Sequence, residues 1–171
     1  MMRGARLLSF LRWMLFSTYA MQSMALAIDY DKAHHLDAEN LAEQGIAKAY
    51  DEVLPELRQH VKNPIAIAES VDAHATRYAV RAAGQEFVIY GPDSPGSEDK
   101  SWGTATYVFF KIINDQLTHS NVRYYALNGG NDLFGIFLTP QQAEDAKRSL
   151  PKRSDWPYLP NPEWPSYGQY H

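Results

Sequence analysis

The chain has 171 residues, no cysteine, 16 basic and 20 acidic side chains, and a formal net charge of −4. Disulfides, thiol chemistry and thiolate metal ligation are thereby excluded, and the acid excess disfavours nucleic acid or anionic lipid as a partner. Hydrophobic residues make up 45% of the chain and tyrosine occurs 11 times, enough for one domain held together by burial alone.

At the front, Arg3, Arg6 and Arg12 precede an apolar run from Trp13 to Met21, followed by Gln22-Ser23 and Ala25-Leu26-Ala27. That order of basic, apolar and small residues is the pattern of a cleavable export signal over residues 1–27. The run is far short of the ~20 residues that a membrane-spanning helix needs. The expectation is a periplasmic protein with no stable membrane anchor. Losing three arginines leaves 13 basic and 20 acidic groups, a net charge of −7. Such a surface suits a basic protein partner.

Residues 28–35 are polar and aperiodic and read as a lead-in. Asp37 stands at an N-cap position, and Leu41, Ile46, Tyr50, Val53, Leu54, Leu57 and Val61 recur at steps that fit one helix face. The spacing predicts a helix over about 37–61, kinked or divided at Leu54 by Pro55 and stopped by Asn63-Pro64. Residues 65–73 form a candidate strand. Period-two alternation around Ala83-Gly84 predicts a hairpin over 77–90. Residues 91–101 carry two prolines, two glycines and three acids, and read as a loop.

Residues 102–118 have strand-like composition, but Ala105, Val108, Phe109, Ile112, Ile113 and Leu117 fall at helical spacing. The run is long for a strand and has no breaker after Gly103, which favours helix. Two strands, 122–127 and 133–138, flank a turn at Asn128-Gly-Gly-Asn-Asp132. Thr139, Pro140 and Gln142 have the spacing of a capping box with proline in the first turn, and a helix follows to about Leu150. The tail, 151–171, holds five prolines with Trp156, Tyr158, Trp164, Tyr167 and Tyr170. Extended or polyproline-like backbone is expected there, its aromatics either laid back on the domain or offered to a partner. These elements predict an α+β domain over 28–150. Its expected form is one small antiparallel sheet of about five strands against two or three helices, followed by the tail.

No catalytic constellation emerges. The six histidines lack zinc-site spacing, and no His-Glu-x-x-His occurs. Ser94 and Ser97 are not in a Gly-x-Ser-x-Gly turn. Gly129-Gly130 lies between strands, where no phosphate-binding helix begins. Asp93, Glu98 and Asp99 lack the ligand spacing of a calcium loop. No metal set or cofactor motif is read from the chain, and no enzyme activity is expected. Binding features remain: Asp93, Ser94, Glu98 and Asp99 in an acidic loop leading to Trp102, and Asn128, Asn131 and Asp132 at the hairpin tip. Aromatics beside polar loops are what protein interfaces use as anchors.

The run Arg123–Gln142 (RYYALNGGNDLFGIFLTPQQ), with the aromatic segment Tyr107–Leu117 ahead of it, resembles small immunity proteins of bacterial toxin systems. The resemblance spans about 40 residues, Trp102 to Gln142. Joined to an export signal, it implies a periplasmic immunity protein that protects against a type VI secretion effector by occluding the toxin's active site. Two other readings stay open. One is a small periplasmic hydrolase acting on an envelope substrate through carboxylates and His74 or His119. The other is an envelope assembly or ligand-binding protein.

Overall fold

The computed structural model describes residues 28–94 and 98–170; the export-signal reading falls on 1–27, outside the described residues. The fold is α+β, built on two three-stranded antiparallel sheets. Strands β2 (Ile67–Asp72), β3 (Arg77–Ala82) and β4 (Gln85–Tyr90) form a meander. Ala83 and Gly84 turn its second hairpin with φ of 50° and 78°, the left-handed pair that matches strand twist. The other sheet runs β1 (His34–His35), β6 (Phe134–Leu138), β5 (Arg123–Leu127).

The single sheet of about five strands is therefore corrected to two sheets. The expected lead-in supplies the reason: His34 and His35 pair with Gly135 and Phe134, so β6 takes its second neighbour from the front of the chain rather than from the meander. On its free side β5 meets Tyr158 of the tail through an Ala126–Tyr158 bridge.

Helix α1 (Ile46–His60) corrects the predicted 37–61 helix. Helical turns at Ala38–Asn40 and Leu41–Gly45 precede it, with Asp37 capping through its carboxylate as expected. The break falls at Gln44, which has φ 72° and ψ 31°, rather than at Leu54. Gly45 permits it: a Cβ there would lie 2.4 Å from the Asn40 carbonyl oxygen. Glu69 of β2 then accepts the Ala47 N–H at 2.9 Å, capping the new helix from across the fold. Pro55 stays inside α1 because it and Asp51 are exposed, so the carbonyl it leaves unpaired faces water.

Residues 102–118 are mostly helix: α2 spans Glu98–Gln116. It begins four residues before Trp102, so the end of the predicted loop is the first helical turn. Its stripe of Ala105, Val108, Phe109, Ile112 and Ile113 is buried in a core shared by both sheets and α1. The other face of the β5–β6 pair buries Tyr125, Leu127, Ile136 and Leu138 under Ala143 and Ala146 of α3 (Pro140–Ser149). Burial on both faces explains why β5 and β6 read as unbroken apolar runs. The predicted capping box of Thr139 and Gln142 is present.

The tail is tied to the domain, with extended backbone at Trp156 (φ −72°, ψ 138°). It makes a 3-10 turn at Arg153–Asp155, bridges β5 at Tyr158, and turns again where the Tyr167 N–H reaches the Glu163 carbonyl at 2.8 Å. Among the described residues, no helix is long and apolar enough to cross a membrane.

Candidate functional site

Two of the segments singled out from the sequence converge. Trp102 sits half-buried near the start of α2 and packs on the core. The hairpin tip reaches the same region, and its backbone is left-handed at Asn128 (φ 55°) and Gly130 (φ 59°). Between them lies a cleft of about 140 Å³, lined by Trp102, Gly103 and Thr106 of α2, Gly129 and Gly130 of the tip, and Tyr158, Tyr167 and Gln169 of the tail. A second hollow of about 440 Å³ is lined by Trp102 with Ala42–Gln44 and Tyr90. Trp102 lines both.

The tip is braced rather than loose. Asn131 donates from Nδ2 to Glu39 at 3.2 Å, and its carbonyl lies 3.0 Å from His35 Nε2. The Asn128 carbonyl accepts the Tyr158 O–H at 2.8 Å. Asn131 and Asp132 are exposed, and Asn128 is half-buried. Asp93 and Ser94 are exposed in the turn that follows β4, with the Ser94 N–H held by the Gly91 carbonyl at 2.9 Å. Glu98 and Asp99 belong to the first turn of α2, not to the loop expected for them.

The tail supplies what sequence reasoning did not assign to a site. Tyr167 packs so closely on α2 that a Cβ at Gly103 would lie 2.1 Å from its ring, and its hydroxyl donates to the Lys100 carbonyl at 3.1 Å. Gln169 lies over Gly129. In the same tail, Leu159 is 45% exposed and Trp164 is 52% exposed. Nothing in the spacing of a proline-rich tail reports which of its rings turn inward.

A second cluster lies between β1, β5 and α1. His34 Nε2 is 3.6 Å from Glu56, and the His34 ring stands 6.0 Å from that of Tyr124. Neither His34 Nδ1 nor the Tyr124 hydroxyl, both buried, has a hydrogen-bond partner among the described residues. Burial, with a smaller contribution from the Glu56 charge, holds the Tyr124 hydroxyl far above its ordinary pKa, so it is a neutral group at physiological pH. His74 and His119 are in exposed turns. Among the described residues, no group of three or more histidines and carboxylates is placed to hold a metal ion. No protein-family model, curated protein or solved structure matches this chain.

Proposed function

We propose that this is an exported, non-catalytic binding protein of the periplasm. In this reading it is an immunity protein that neutralises a toxin of the type VI secretion kind by occluding its active site. The observation that carries the reading is the convergence of Trp102, the Asn128–Asp132 tip and the tail around one cleft, with Asn131 and Asp132 exposed in the tip and Leu159 and Trp164 exposed in the tail. An inhibitor needs a central anchor region with a polar rim that keeps water out. The net charge of −7 left after the first 27 residues would steer a basic toxin toward that surface.

The test is purification with the exported toxin encoded beside the gene. A nanomolar complex is expected, and Asp132→Lys or Trp164→Ala should weaken it at least tenfold with the melting temperature unchanged. Trp102→Ala is a poorer probe, because its ring also packs on the core. The reading is overturned if no neighbouring toxin binds and the protein itself degrades a cell-wall substrate. The latter result would establish the hydrolase instead.

A further inference from the structure

The 140 Å³ cleft has a composition that selects its occupant. Its volume is well below the ~300 Å³ at which drug-sized ligand sites begin. It can take one side chain. Among the described residues, no carboxylate, ammonium, guanidinium or imidazole lines it. An ion entering would lose its water with no counter-charge in return.

A purely apolar group fits no better. Thr106 is 6% exposed and lines the cleft, and its hydroxyl makes no hydrogen bond to another described residue. The Gln169 carboxamide, resting on Gly129, is likewise unpaired among the described residues. Each can donate and accept. Covering them with hydrocarbon would strand both. The two tyrosines in the wall have no O–H left to donate: Tyr158 donates to the Asn128 carbonyl and Tyr167 to the Lys100 carbonyl. What they and Trp102 offer is flat aromatic surface.

We infer that the cleft between α2, the hairpin tip and the tail is the seat for one carboxamide side chain, Asn or Gln, of the protein partner. A carboxamide is neutral and planar and carries a donor and an acceptor for Thr106 and Gln169, while its faces lie against the rings. This inference rests on the reading of the protein as a toxin inhibitor and names the anchor of that contact. The overall acid excess brings the toxin in, and the neutral cleft fixes its register.

Propionamide, a mimic of the Gln side chain, tests the cleft without the toxin. Titrated into the ¹⁵N-labelled protein, it should shift the Thr106, Gln169 and Trp102 indole signals saturably. Thr106→Val and Gln169→Met, which keep shape and remove the polar atoms, should each weaken that binding about tenfold. Methylguanidinium or N-acetylglucosamine saturating the same signals while propionamide does not would overturn the inference, as would no saturation by any of the three. With the toxin, Thr106→Val should weaken the complex at least tenfold. A complex unaffected by both variants sinks the carboxamide seat and leaves the inhibitor reading standing. Propionamide binding without any toxin complex sinks the inhibitor reading alone.

Discussion

Tyr124 and Gly135 show how one residue's identity dictates another's. A Cβ at Gly135 would meet the Tyr124 hydroxyl at 2.2 Å, so the glycine is the space that lets this ring lie flat on the sheet. The same hydroxyl is buried without a partner. Gly135→Ala should therefore cost about 1–3 kcal/mol through overpacking. Tyr124→Phe should be neutral or stabilising by about 1 kcal/mol, because it removes an unpaired polar group. Urea unfolding of both variants and their double mutant would check this; in the double mutant the penalty at Gly135 should shrink. A loss above about 2 kcal/mol for Tyr124→Phe would mean the hydroxyl has a partner. Glu69 carries the opposite load, accepting from Ala47 N–H and from the Tyr78 O–H. Glu69→Ala should cost about 1–3 kcal/mol, read as a lower denaturation midpoint. Neither dependency is visible in the sequence, since each is set by how a side chain from one element packs on another.

At the level of elements, the sequence was legible where a local rule decides. The Asp37 cap, the Ala83-Gly84 hairpin and the Thr139–Gln142 capping box all stand where residue spacing put them. Helix α2 follows its apolar stripe despite strand-rich composition, because burial overrides propensity. Errors arose where a local rule met a tertiary one. Pro55 was expected to divide a helix and is tolerated at an exposed position, while Gly45, unremarked, permits the actual break. The site divides similarly: Trp102 and the tip are legible, and Tyr167 is one of the tail aromatics expected either on the domain or at a partner, but nothing in the spacing marks Thr106 or Gln169. The tail's hold on α2 runs through the missing Cβ of Gly103. Gly103→Ala should push Tyr167 off the helix. The expected readout is faster proteolysis of residues 151–171 with the core still folded; an unchanged cleavage rate would refute the clamp.

For the molecule as a whole, buried tyrosines predict an alkaline limit. Burial raises the pKa of Tyr78, Tyr124 and Tyr158, and Glu69 raises that of Tyr78 further. In the unfolded chain these groups ionise near pH 10, whereas in the fold they stay neutral. Their contribution is complete below about pH 10 and is lost as pH rises beyond it, so urea midpoints should hold to pH 9 and fall by pH 11. A flat profile to pH 11 would contradict the burial of these hydroxyls. By itself the sequence determined the absence of disulfides, the acid excess, the α+β class and most element positions, because composition and short-range periodicity settle those. Only the tertiary structure decided that the strands divide into two sheets, that His34-His35 completes one of them, and that the tail closes a neutral cleft beside the hairpin tip. Those outcomes depend on which apolar faces bury each other across long stretches of chain, and residue spacing carries no record of that choice.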